Sequence, residues 1–115
     1  MPSVLRRVRK VGSSYTVFIP VMFSEALDLD GLSFMYAYLD GNRVVYSEGF
    51  REGARKVKLR AQARYKDRVY YAITIPKAFA ERLGIVEGDV VALELMKHGF
   101  SVSKVRTLDD DQRLV

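Results

Sequence analysis

Apolar and polar positions change rhythm in a fixed order along this chain, and the order occurs twice. Val4 to Val11 reads as a strand, and Gly12-Ser13-Ser14 as a turn. Tyr15-Thr16-Val17-Phe18-Ile19 is β-branched and aromatic, which predicts a second strand. Pro20 ends it, because proline has no N–H for a ladder and suits the first turn of a helix. Phe23, Ala26 and Leu27 then fall at helical spacing, and Gly31 breaks the pattern. Phe34, Tyr36 and Tyr38 alternate with Ser33, Met35 and Ala37 as another strand; Asp40-Gly41-Asn42 is a hairpin turn, and Val44-Val45-Tyr46 the return.

The second pass has the same order. Val57 to Arg64 alternates apolar (Val57, Leu59, Ala61) with basic residues (Lys58, Arg60). A basic turn, Tyr65-Lys66-Asp67-Arg68, leads into an apolar strand from Val69 to Ile75. Pro76 starts a helix carrying Phe79, Ala80 and Leu83, with Gly84 as its stop. Val91, Leu93 and Leu95 alternate, His98-Gly99 forms a turn, and Phe100 and Val102 return. Val17-Phe18-Ile19-Pro20 and Ile73-Thr74-Ile75-Pro76 lie 56 residues apart, as do Phe23 and Phe79, Glu25 and Glu81, Leu27 and Leu83. Gly31 and Gly88 lie 57 apart, which predicts one inserted residue between helix and strand. Each half reads strand, turn, strand, short helix, hairpin. Isolated hairpins are marginal in water, so two such halves are expected to share one barrel. The expected organisation is a first repeat over residues 1–47, a linker over 48–56, a second repeat over 57–106 and a mobile acidic tail over 107–115.

Composition narrows the setting. With 115 residues, 49% of them apolar, the chain can bury one real core. It has no apolar run of 18 residues, so no transmembrane helix is expected, and Met1 to Arg7 lacks the apolar stretch of a signal peptide. With no cysteine there is no disulfide framework and no thiolate metal site, as in an ordinary intracellular protein. Asn and Gln total three against 29% charged residues, a bias that fits a heat-adapted source. The net charge of +5 is unevenly placed. Residues 1–20 carry four basic groups and no acid, residues 21–50 one against five, residues 51–77 nine against two, and residues 78–115 five against seven. Each repeat is therefore basic up to its proline and acidic after it, as a built basic surface would be.

Taken together, Val8-Arg9-Lys10-Val11, Val17-Phe18-Ile19-Pro20, Ile73-Thr74-Ile75-Pro76-Lys77 and Leu83-Gly84-Ile85-Val86-Glu87-Gly88-Asp89-Val90-Val91 resemble the AbrB/MazE/SpoVT family. That family comprises small swapped-hairpin DNA-binding barrels of bacteria and archaea. The resemblance covers residues 6–46 and 62–105 and is more specific in the second copy; Asp28 stands where that copy has Gly84. Family members carry one unit per chain and interleave two chains. Two copies therefore imply a mostly β fold with two short helices, a swapped-hairpin barrel formed as an intrachain pseudo-dimer. The family places basic residues of the first strand and the following loop on DNA. Carried over by position, the DNA-binding residues are Arg7, Arg9, Lys10, Ser13, Ser14 and Tyr15. Counting back equally from Pro76 gives Tyr65 and Lys66 in the second copy, with Arg64 and Arg68 beside them. Arg can fork onto guanine acceptors, Lys acts on phosphate as a point charge, and small hydroxyl residues let backbone amides approach phosphate. Thr16 and Ala72 stand where the family has a basic residue before its Val-x-Ile-Pro block, and Glu25 and Glu81 follow the prolines where some members have arginine. These departures favour phosphate binding over strict operator reading.

The implied partner is double-stranded DNA, met in the cytoplasm at the nucleoid, by a transcriptional regulator or nucleoid-associated protein. A homodimer of the barrel and a protein partner both stay open, and no membrane and no cofactor are expected. Two alternatives of another class are an antitoxin-like module and a protein-binding adaptor. Catalysis has no support: His98 is the lone histidine and sits in a turn, and no nucleophile or phosphate-loop motif is present. Asp109-Asp110-Asp111 reads as a solvated tail, with no metal assigned. Phe18, Phe23, Phe79, Tyr36 and Tyr38 are at core spacing and are assigned to packing. Tyr15, Tyr65, Tyr70 and Tyr71 flank the basic turns, where base stacking competes with barrel packing.

Overall fold

A computed structural model describes residues 3–66 and 68–105; the expected tail over 107–115 lies outside them. Among the described residues nine strands and two helices are formed: β1 (Ser3–Arg7), β2 (Arg9–Val11), β3 (Ser14–Phe18), α1 (Val21–Ala26), β4 (Phe34–Asp40), β5 (Arg43–Ser47), β6 (Arg55–Tyr65), β7 (Arg68–Ile75), α2 (Lys77–Leu83), β8 (Val90–Met96) and β9 (Gly99–Lys104). A single 3-10 turn, Leu29–Gly31, follows α1. All pairings are antiparallel, in the order β1-β8-β9-β5-β4-β6-β7-β3-β2. The outermost members of that order, β1 and β2, are consecutive in the chain with only Val8 between them, so the sheet is a nearly closed barrel. The expected strand Val4 to Val11 is thus two strands. Buried Val8 is the corner at which the chain leaves β8 and joins β3.

The hairpins are exchanged between halves. β1 pairs with β8, and β6 pairs reciprocally with β4. In the central contacts Val17 faces Ile73 and Val45 faces Ser101, each residue opposite the one 56 positions on. The β4–β5 and β8–β9 ladders keep that offset too: Asp40 faces Arg43 and Met96 faces Gly99. No residue is inserted between helix and strand, contrary to the spacing of Gly31 and Gly88. The true counterpart of Gly84 (φ 70) is Asp28 (φ 52), both left-handed at the helix end. Asp is among the few side chains that tolerate this conformation. The second turn also shifts: Lys97 and His98 form it, and Gly99 already belongs to β9. The connection between halves is shorter than expected, because β6 begins at Arg55.

Phe23, Leu27 and Leu29 from the α1 region, Ala80 from α2 and Ile19 cap the barrel, whose centre is filled by Val17, Ile73, Ile75, Met35, Leu93, Tyr46 and Phe100. Side chains of this size contribute roughly 1.5–3 kcal/mol each when fully buried. Both helices start directly after an extended proline, Pro20 (ψ 140) and Pro76 (ψ 135). The expected core positions of β4 are corrected. Met35 and Ala37 point inward and are fully buried, whereas Phe34, Tyr36 and Tyr38 lie on the outer face and are half-exposed. Phe18 is likewise half-exposed, on the face opposite Val17.

Candidate nucleic-acid interface

The four strands β2, β3, β7 and β6 form one side of the barrel, and alternation fixes what each turns outward. With Val17 and Ile73 buried, Thr16 and Thr74 face each other on the outside. Arg9 lies opposite Thr16. In the next row Phe18 lies opposite Ala72, and Ala72 opposite Arg60. Thr16 and Ala72 are 56 apart, so Arg9 and Arg60 occupy equivalent places. The equivalence predicted by counting back from Pro76 is therefore wrong: Tyr65 and Lys66 are not the counterparts of Arg9 and Lys10. The physical reason is a bulge between Ala61 and Ala63 together with two added pairs, Arg64 with Val69 and Tyr65 with Arg68. These lengthen the second hairpin and displace its turn along the sequence.

The same register makes Lys58 the counterpart of Arg7. Val11, Ser14, Thr16, Arg60, Gln62 and Thr74 line a shallow concavity on this face. Arg60, Lys58 and Lys56 continue past Thr74 into an adjoining groove. The Arg9 guanidinium rests 5.2 Å from the Phe18 ring centroid, and Arg7 donates from Nη1 to the Gly88 carbonyl at 2.7 Å. Among the described residues none of Arg7, Arg9, Lys58 and Arg60 takes part in an ion pair; the bridges formed are Arg43–Asp40, Arg68–Glu25, His98–Glu48 and Lys104–Asp89. Four exposed cations thus flank a neutral centre of half-buried Thr16, Thr74 and Phe18, with Ala72 buried among them.

The residues expected from sequence are only partly brought together. Arg9 and Ser14 are on this face, Arg7 is at its edge, and Ser13 is exposed in the turn after Gly12 (φ 62). Lys10 and Tyr15 pair with each other on the reverse side of the ribbon, where the Tyr15 ring packs against the core. Arg64, Lys66 and Arg68 lie at the far end of the long β6–β7 hairpin, and Arg68 approaches Glu25 of α1 at 3.8 Å. Near this arm the Tyr71 hydroxyl donates to Asp30, and that bond, chiefly, raises its pKa. Lys58, Arg60, Thr16 and Thr74 were missed, although the alternation of Lys58 and Arg60 with Val57 and Leu59 already placed both cations on one face.

Among the described residues no group of three His, Asp or Glu side chains is placed to hold a metal ion, and no helix is long and apolar enough to cross a membrane. His98 is exposed and lies 3.4 Å from Glu48. No curated protein and no solved structure is significantly similar to the chain. Residues 71–112 match the model of a family described as antidote-toxin recognition MazE, bacterial antitoxin. The match runs from within β7 through α2, β8 and β9, and supports an AbrB/MazE-type relationship for that part of the chain.

Proposed function

We infer that the chain is a duplex-DNA-binding protein built from two copies of an AbrB/MazE-type unit, acting as a transcriptional regulator or nucleoid-associated protein. The observation that carries this reading is the twofold arrangement of Arg9 with Lys58 and Arg60 with Arg7 around a neutral centre. Four strands set about 4.8 Å apart put the Cα atoms of Arg9 and Lys58 about 14 Å from each other. That is close to the ~12 Å width of the major groove. The cations at the two rims neutralise phosphates on both sides of the groove, while Thr16 and Thr74 face base edges with one hydroxyl and one methyl each. Such a centre reads few bases, so binding is strong in its electrostatic part and loose in sequence. The chain's role is binding, with no chemistry at the site.

The test is substitution at equivalent places. Arg9→Ala and Arg60→Ala are expected to weaken duplex binding by similar factors in fluorescence anisotropy, and Lys10→Ala, on the reverse of the ribbon, by less. Unchanged affinity in both arginine variants contradicts the reading. The family description favours one second role, binding of a toxin-type protein partner. Co-purification of a stoichiometric partner from the native host, retained when Arg9 and Arg60 are both replaced, supports that role.

A further inference from the structure

The outer face of β4 carries rings that the fold does not require. Phe34, Tyr36 and Tyr38 project from it, and Phe50, 73% exposed, stands against Tyr36 from the connection between the halves. The rings form an edge-to-face train: Phe34 to Tyr36 at 5.3 Å and 87°, Tyr36 to Phe50 at 5.4 Å and 88°. Directly across the β4–β6 ladder, Lys58 faces Phe34 and Lys56 faces Tyr36. The Lys56 ammonium sits 3.9 Å from the Phe34 ring centroid, and the Arg51 guanidinium 4.2 Å from that of Tyr38.

The second half provides an internal control. At the positions 56 residues on, β8 turns Val90, Ala92 and Glu94 outward in the same barrel geometry. The counterpart of Lys56 on β1 is Leu5, which faces Ala92. The same architecture is therefore built without rings and with one cation fewer beside the strand, so the aromatic row is not a packing necessity. Arg51 and Lys56 rest on ring faces, and among the described residues Arg51, Lys56 and Lys58 form no ion pair. The nearby carboxylates are Asp40, next on the same face of β4 and paired with Arg43, Glu52, beside Arg51 in sequence, and Glu48, which is paired with His98.

We propose that the ring-bearing face of β4 is a platform for single-stranded nucleic acid, adjoining the duplex face along β6. Outward residues along a strand recur about every 6.8 Å, so Phe34, Tyr36 and Tyr38 offer successive stacking sites to unpaired bases. Arg51, Lys56 and Lys58 follow the row on one side. On binding, Arg51 and Lys56 exchange ring faces for phosphates, which frees the rings for the bases. A polyanion matches this run of unpaired cations better than a protein surface of mixed charge. Lys58 borders both faces, so the two surfaces are continuous along β6.

The experiment measures anisotropy of fluorescein-labelled oligo(dT), which cannot pair with itself, beside a labelled duplex of equal length. The wild-type chain is compared with Tyr36→Leu/Phe50→Leu, which keeps apolar bulk, and with Lys56→Gln. The leucine variant is expected to bind oligo(dT) about tenfold to a hundredfold more weakly, with duplex affinity and melting temperature unchanged. Lys56→Gln is expected to flatten the salt dependence of oligo(dT) binding. No oligo(dT) binding by the wild type, equal binding by the leucine variant, or parallel loss of single-strand and duplex affinity overturns the proposal. A wild-type dimer in sedimentation that the leucine variant abolishes also overturns it, and identifies the face as a protein interface. Loss of duplex binding alone, with oligo(dT) binding intact, removes the duplex reading and leaves this one standing.

Discussion

Tyr46 is the side chain through which the two sides of the barrel are tied across the core, and its removal has a calculable signature. It is fully buried on β5, stacks on Phe100 at 5.0 Å and 18°, and donates its hydroxyl to the main-chain carbonyl of Thr74 at 3.0 Å. Tyr46→Phe keeps the stack and removes that bond. A net loss of about 1 kcal/mol is expected at pH 7, rising toward ~3 kcal/mol if the Thr74 carbonyl finds no other donor. For a domain of this size 1 kcal/mol lowers the melting temperature by about 4 °C. Burial also pushes the Tyr46 phenol well above its ordinary value near 10. A group held neutral in the fold contributes stability that is complete below its unfolded pKa and is lost as pH rises above it. The unfolded chain then releases a proton that the folded chain retains. Above pH 10 the wild type therefore loses about 1.4 kcal/mol per pH unit through this phenol, and the variant does not. The two stability curves should cross at about pH 10.7, the point where that loss equals about 1 kcal/mol. Tyr71, also shifted upward, is present in both proteins and cancels. Urea denaturation followed by circular dichroism between pH 7 and pH 11.5 reads this directly. Parallel curves with no crossing would refute the reasoning.

Backbone geometry supplies two further tests. A Cβ on Gly99 would lie 1.8 Å from the Tyr46 carbonyl oxygen and 3.0 Å from the Ser47 Cα, so Gly99→Ala must separate β5 from β9 and should abolish cooperative unfolding at 25 °C. Gly49→Ala meets nothing closer than the Ser47 hydroxyl at 3.9 Å, and should stay within about 0.5 kcal/mol of wild type in the same urea assay. At the end of α1, Asp28→Gly releases a left-handed strain of about 1–2 kcal/mol. It also loosens the unfolded chain by about 0.4–1 kcal/mol. The net expectation is a modest rise in the urea midpoint, and a fall would show that the Asp28 side chain has a role of its own.

The strands, helices and hairpins were legible in the sequence because their signals are local. Pro20 and Pro76 mark both helix starts, and β3 and β7 are apolar runs bounded by turns. Exchange of the hairpins followed from the repeat together with the family resemblance, and the pairing of β1 with β8 and β4 with β6 bears it out. Sidedness was not legible on β4. Phe34, Tyr36 and Tyr38 on one face are as apolar as Met35, Ala37 and Leu39 on the other, so period-two alternation alone does not say which set faces the core. Nor was the true counterpart of Arg9 legible. The bulge at Ala61 and Ala63 and the two added pairs beyond it change the offset before the proline from 56 to 51 without leaving a glycine or proline to mark it. That shift hid Arg60 and Lys58 and directed attention to Arg64, Lys66 and Arg68 at the far end of the hairpin.

The central claim is that cations on the face of β2, β3, β7 and β6 neutralise duplex phosphates, and counterion release measures this most directly. Duplex affinity followed over a salt series from about 50 to 200 mM should fall steeply. If Arg7, Arg9, Lys58 and Arg60 each engage one phosphate, the log–log slope is about −3.6. Arg9→Ala/Arg60→Ala should then flatten the slope by about 1.8. A slope near zero in the wild type, or one that the double substitution leaves unchanged, would contradict the account.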